Sequence, residues 1–124
     1  MPQSTLVVAA VDDDRRIRES VQSVLESAGY EAVTFESAEA FLDSGVLSNV
    51  MCVLADVRLP GIDGIELQRR IRRRRPTLPI IFMTAHDDED IRQRALRDGA
   101  VAFMVKPFDG GELLEHVARA TPLG

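Results

Sequence analysis

Three acidic side chains, a hydroxyl and an amine stand directly after apolar runs of strand length in this sequence. Asp12 and Asp13 follow the first run, Asp56 the third, Thr84 the fourth and Lys106 the fifth. Crowded carboxylates repel one another and are costly to remove from water, whereas Mg²⁺ binds one or two carboxylates together with waters and phosphate oxygens. An ammonium group binds phosphate or a carboxylate. Together these groups could hold a phosphoryl group on a carboxylate.

The elements that would position these residues alternate along the chain. Five apolar runs have the length and composition of buried parallel strands, the second being shorter and predicted at the edge of the sheet. These runs cover residues 6–11, 32–35, 51–55, 80–83 and 101–105. Amphipathic helical patterns lie between and after them. With right-handed crossovers, this order predicts an α/β fold with a doubly wound open sheet, whose sites lie outside the carboxyl ends of the strands.

Residues that start or stop helices mark the boundaries of the five helical patterns. Caps with short polar side chains begin helices, and glycine or proline ends them. The predicted boundary residues, in chain order, are Gly29, Ser37, Pro76, Asp87, Gly99 and the capping box at 109–112. Short loops remain between these elements.

Length and charge limit the classes of protein. The 124 residues, 45% of them hydrophobic, predict one domain over 1–124. No apolar run approaches the roughly 18–20 residues that cross a bilayer, and a single cysteine excludes an internal disulfide and fits the cytoplasm. A net charge of −5 does not favour nucleic-acid binding. Six arginines within 69–75 are the exception; we interpret them as a solvated helix end, with a DNA contact as the alternative.

Five segments carry a resemblance to a known family. They cover residues 11–14, 56–64, 83–86, 99–100 and 103–108. In their order and spacing, the chain from about residue 6 to residue 120 resembles the receiver domain of two-component response regulators, particularly of FixJ-like transcription regulators. The resemblance implies a CheY-like, flavodoxin-like (βα)5 fold with a five-stranded parallel sheet in the order 2-1-3-4-5.

The resemblance implies the chemistry of each acidic residue. Asp56 matches the aspartate that accepts a phosphoryl group from a sensor histidine kinase. Asp12 and Asp13, with Asp56 and the backbone carbonyl of Arg58, match the residues that hold Mg²⁺. Lys106, the only lysine among 15 basic residues, matches the residue that pairs with the phosphoryl group.

The resemblance also implies a switch. Thr84 matches the hydroxyl that moves to a phosphoryl oxygen, and Phe103 matches the aromatic residue that turns inward with it. Arg58 and His86 occupy variable positions similar to those that tune the loss of the phosphoryl group. The bond between Lys106 and the proline that follows it is usually cis in this family.

These roles predict a regulatory module that assists its own phosphorylation and is not a turnover enzyme. Its readout surface consists of the fourth helix, the fifth strand and the fifth helix. We expect this surface to control a C-terminal DNA-binding output domain. We also expect two copies to form a homodimer through it on phosphorylation. We expect no direct contact of this domain with nucleic acid or membrane. A stand-alone receiver that acts through protein contacts is the alternative output.

Two other functions compete with this one. A phosphatase with an aspartate nucleophile resembles Asp-x-Asp at that position, whereas Asp56 is followed by Val57 and Arg58. A receiver-like module that is never phosphorylated would not need the complete acidic set with Thr84 and Lys106. We therefore favour the phosphorylated receiver.

Overall fold

A single parallel sheet forms the centre of the fold. The computed structural model describes residues 7–86 and 88–121. The strands are β1 (Val7–Val11), β2 (Glu31–Phe35), β3 (Cys52–Asp56), β4 (Ile80–Thr84) and β5 (Ala102–Val105). The helices are α1 (Arg15–Ser27), α2 (Ala38–Ser44), α3 (Gly64–Arg74), α4 (Glu89–Arg97) and α5 (Gly110–Ala120), with a 3-10 turn at Val46–Ser48. All strand pairs are parallel and the order is β2-β1-β3-β4-β5, which confirms the predicted doubly wound sheet.

Helix caps follow the sequence signals closely. The Ser37 hydroxyl accepts from the third amide of α2, and the Asp109 carboxylate accepts from the Glu112 amide at 2.7 Å, as predicted. The fourth helix has its acid-rich first turn, and its N-cap is Asp88. Asp87, where the sequence predicts that turn to begin, lies outside the described residues.

Helices on both faces explain the unbroken apolar strands. Alternate side chains of the central strands pack against α2, α3 and α4 on one face, and against α1 and α5 on the other. Every position of β1, β3 and β4 is therefore buried. In the described ranges, no helix has the length and apolar character needed to cross a membrane. Helices thus cover both faces of the sheet, whose carboxyl edge carries the predicted site residues.

The arginine run is only partly the solvated helix end that we predict from sequence. Arg72 donates to the carbonyls of Leu78 at 2.7 Å and Gly99 at 2.9 Å, and Arg75 donates to the carbonyl of Leu47 at 3.0 Å. These two side chains bind the end of α3 to other elements of the fold. The charge pattern indicates the helix end but not these carbonyls, because the Gly99 and Leu47 carbonyls lie 27 and 28 positions away in the sequence and the Leu78 carbonyl lies beyond the end of the helix.

Candidate functional site

The carboxyl edge of the sheet brings the predicted residues together. Asp12 follows β1, Asp56 ends β3, Thr84 ends β4 and Lys106 follows β5. The Lys106 Nζ lies 2.7 Å from Asp12 Oδ2 and 2.8 Å from Asp56 Oδ2. These contacts join residues 94 and 50 positions apart in the sequence. One ammonium group therefore bridges two carboxylates that parallel pairing places side by side.

Three carboxylates form a cluster that fits a hard cation. Oxygens of Asp12, Asp13 and Asp56 all lie within 4.8 Å of one another. Asp12 is fully buried and Asp56 is 8% exposed, whereas Asp13 faces solvent. Among residues 7–86 and 88–121, Lys106 is the one cation in an ion pair with these three acids, so the cluster keeps an excess of negative charge. Mg²⁺ is a hard cation that binds carboxylate oxygens together with waters and phosphate oxygens, so the oxygen donors of this cluster fit that ion.

Burial and ion pairing shift the charges of this cluster in identifiable ways. Burial raises the pKa of Asp12, and hydrogen bonds from Lys106 and the Asp14 amide offset only part of that rise. Burial alone would lower the pKa of Lys106, but hydrogen bonds to Asp12 and Asp56 outweigh it and raise the pKa. Lys106 is therefore a permanent cation at neutral pH, held in place by its acidic partners.

Backbone amides hold the two buried carboxylates in fixed orientations. The Asp14 amide donates to Asp12 Oδ1, and the Arg58 amide donates to Asp56 Oδ1, both at 2.9 Å. In each carboxylate the other oxygen contacts Lys106. Each carboxylate is thus anchored on one side by its own loop and turned on the other toward the shared site.

Of the two predicted switch residues, Thr84 ends β4 at the same sheet edge as the acids, and its hydroxyl makes no hydrogen bond to them within the described part of the chain. The Thr84 hydroxyl donates to the carbonyl of His86 at 3.0 Å and accepts from its amide at 3.2 Å. Phe103 is half-buried, with its ring centroid 6.4 Å from that of Phe82 and 6.0 Å from the Arg92 guanidinium carbon. The hydroxyl is therefore bound to its own loop, and the aromatic ring lies between the core and α4.

Comparison with known proteins identifies the family. Residues 8–118 match the family model of the response regulator receiver domain. The chain belongs to this family. It is 39% identical to the transcriptional regulatory protein FixJ of Bradyrhizobium diazoefficiens over 113 residues, covering 91% of this chain and 55% of that protein. This receiver domain thus spans about half the length of FixJ.

Solved structures of receiver domains share the fold. The chemotaxis protein CheY4 of Vibrio cholerae superposes with a TM-score of 0.87 and 28% identity, over 94% of this chain and 99% of that one. The BeF3-activated DrrB receiver domain of Thermotoga maritima gives a TM-score of 0.86 and 31% identity, over 94% and 97%. The CheY-like fold expected from the sequence is confirmed.

The two predicted tuning residues of this receiver domain are exposed. Arg58 borders a cavity of about 620 Å³ between α3 and α4, which Leu59, Ile65 and Ile91 also line. His86 reaches Thr84 through its backbone atoms, and its side chain faces solvent. The expected cis bond between Lys106 and the following proline is present. A tuning role for Arg58 and His86 stays a prediction.

Sequence reasoning includes Gly64 in the 56–64 segment but assigns it no role, whereas in the structure it lets α3 pack against the end of β3. Gly64 is buried and its amide donates to the Val57 carbonyl at 2.9 Å. A Cβ at this position would lie 2.6 Å from the Asp56 carbonyl oxygen and 2.8 Å from Val57 Cα. Only glycine fits this approach. The signal in the sequence is a glycine at the first position of α3, directly after the N-cap residue Asp63.

Proposed function

We propose that this receiver domain is a phosphorylation-driven switch in two-component signalling. Asp56 would accept a phosphoryl group from a phosphohistidine of a sensor histidine kinase. The observation that carries this proposal is the Lys106 ammonium, which lies 2.8 Å from Asp56 Oδ2 and is itself held by Asp12. A fixed cation in contact with Asp56 suits a reaction that places more negative charge on that residue.

The transfer needs positioning and charge neutralisation more than covalent assistance. A carboxylate oxygen of Asp56 attacks phosphorus, and the O–P bond forms as the P–N bond breaks. The electron pair of that bond returns to the imidazole nitrogen. Lys106 stabilises the charge on the transferred group, and the Arg58 amide keeps the carboxylate oriented through Oδ1. The domain assists this step and is not a turnover enzyme.

The acidic cluster would hold Mg²⁺ for this reaction. Asp12, Asp13, Asp56 and the backbone carbonyl of Arg58 would supply the protein ligands. When bound, the ion offsets negative charge on the carboxylates and on the phosphoryl oxygens. The exposed Asp13 leaves the cluster open to solvent and so to the ion and the phosphodonor.

The phosphoryl group would act on the neighbouring loop through differential contacts. A two-state element shifts only when a ligand interacts better with one of its states. Phosphoryl oxygens would offer the Thr84 hydroxyl an acceptor better than the His86 carbonyl that it now contacts. As Thr84 moves, Phe103 would turn inward and change the surface formed by α4, β5 and α5.

That surface supports an output through protein contacts. Leu96 on α4 and Val101 before β5 are exposed by 42% and 52%, respectively. Both side chains line one surface cavity together with Phe103, and contiguous exposed apolar area of this kind favours a protein partner. Because FixJ is a transcriptional regulatory protein and this domain spans about half of it, we propose a DNA-binding output domain as the partner. Homodimerisation on phosphorylation and a cytoplasmic location belong to the same proposal.

Beryllofluoride, a mimic of an aspartyl phosphate, tests the site. We expect the domain to bind it only with Mg²⁺, with shifts of the Thr84 and Phe103 amides in NMR spectra. The similar DrrB receiver domain is known in a BeF3-activated form. Asp56→Asn should abolish binding, whereas the matched control Asp63→Asn should not, because Asp63 is an exposed helix cap.

Three results would contradict the proposed function or its assignment to Asp56. Binding that survives Asp56→Asn would contradict the assignment of Asp56. Failure of the wild-type domain to bind would favour a receiver-like module that is never phosphorylated. Sustained hydrolysis of an added phosphomonoester would favour the phosphatase.

A further inference from the structure

A glutamate outside the acidic cluster reaches the loop that follows Asp56. Glu39 lies in the first turn of α2, and its Oε2 accepts a hydrogen bond from the Ile62 amide at 3.0 Å, across 23 positions of sequence. Gly61 packs directly against the same carboxylate and has a φ of +75°. A side chain at Gly61 would both strain the backbone and displace Glu39. The glutamate and the loop therefore fit together as one unit.

This loop connects β3 to α3 and contains Arg58. Its two ends are fixed by local bonds, from the Arg58 amide to Asp56 Oδ1 and from the Gly64 amide to the Val57 carbonyl, both at 2.9 Å. Among the described residues, the bond to Glu39 is the one hydrogen bond that joins residues 59–62 to another element. The middle of the loop therefore depends on α2 for its path.

The arrangement is not the one that stability alone would favour. Glu39 Oε1 is buried and has no hydrogen-bond partner among the described residues. A buried carboxylate oxygen without a partner costs free energy, and an apolar side chain would avoid that cost. Local rules are broken in this way mainly where function requires a particular group.

We infer that Glu39 is a positioning residue for the phosphorylation site. By holding the Ile62 amide and seating Gly61, it sets the path of the loop and thus the direction of the Arg58 carbonyl. The inference rests on the proposed function, in which that carbonyl is a metal ligand. Glu39 itself is not one of the three clustered carboxylates. Partners that orient metal ligands typically change affinity by about 10–100-fold when removed.

Three variants separate the hydrogen bond from the charge. In calorimetric titrations with Mg²⁺ alone, Glu39→Ala should weaken binding by about tenfold. Glu39→Gln keeps an acceptor oxygen for the Ile62 amide and should stay close to the wild-type affinity. The control Glu36→Ala removes the same charge from an exposed position just before α2 and should leave binding unchanged.

Each contrary result overturns the inference. Wild-type affinity in Glu39→Ala, with only a lower melting temperature, would make the role structural. A loss in Glu39→Gln equal to that in Glu39→Ala would show that charge acts, not the hydrogen bond.

Amide hydrogen exchange separates this inference from the proposed function. If the wild-type domain binds no Mg²⁺, the proposed function fails and the metal part of the inference fails with it. The rate of hydrogen exchange at the Ile62 amide then tests the other part of the inference, that Glu39 positions the loop. Faster exchange in Glu39→Ala than in Glu39→Gln supports it, and equal exchange in both overturns it.

Discussion

Gly64→Ala is expected to destabilise the domain by about 3 kcal/mol, the upper range for overpacked cores. The added Cβ would meet two backbone groups, the Asp56 carbonyl oxygen at 2.6 Å and Val57 Cα at 2.8 Å. Rotation of a side chain cannot relieve a contact with backbone, so either α3 or the end of β3 must move. Alanine gains about 1 kcal/mol of helix propensity over glycine, which is too little to offset the clash.

Denaturant unfolding of the variant measures this effect. The control is Gly111→Ala in the first turn of α5, where the nearest atom to a new Cβ is an oxygen of the Asp109 side chain at 3.2 Å. That position is exposed, and the control should keep wild-type stability or exceed it. A Gly64→Ala domain as stable as wild type would contradict the close approach of α3 to the site.

Lys106→Arg is expected to leave Asp56 open to modification but to uncouple that modification from the movement of Thr84 and Phe103. The lysine ammonium sits between two carboxylate oxygens at 2.7 and 2.8 Å, with only 12% of its side chain exposed. Arginine keeps the charge but has a wide planar head, which does not fit the same enclosed gap. We therefore expect beryllofluoride still to bind at Asp56 with Mg²⁺, while the shifts of Thr84 and Phe103 are largely lost.

A second variant tests whether charge or shape is responsible. Lys106→Met removes the cation from a nearly buried pair, and breaking such a pair typically costs about 3–5 kcal/mol. We expect this variant to lose stability as well as the response, whereas Lys106→Arg loses mainly the response. Full shifts of Thr84 and Phe103 in Lys106→Arg would show that the site has no need of an ammonium group.

The convergence of Asp12, Asp56 and Lys106 at one edge of the sheet could be predicted from the sequence. Unbroken apolar runs indicated parallel strands covered on both faces, and parallel strands end at one edge. Asp12, Asp56 and Lys106 follow such runs, so their contact needs only the strand order. The observed distances between Lys106 and the two carboxylates agree with that reasoning.

Contacts between distant elements could not be predicted in the same way. The bond from the Ile62 amide to Glu39 depends on how α2 lies on the sheet, and no periodicity encodes that orientation. The helix-end pattern predicts a solvated Arg72 because such a pattern describes only its own helix, whereas the Gly99 carbonyl that Arg72 binds follows α4. The direction of the Thr84 hydroxyl is a choice of rotamer, which the sequence leaves open.

The proposed function is tested most directly by mapping the residue that becomes phosphorylated. The domain would be incubated with acetyl phosphate, with Mg²⁺ or with a chelator, and the modified residue would be mapped by mass spectrometry after the acyl phosphate is trapped. We predict an acyl phosphate at Asp56 that requires Mg²⁺ and is absent from Asp56→Asn. Label that persists in Asp56→Asn with Mg²⁺, or that maps to another residue in the wild-type domain, would contradict the account.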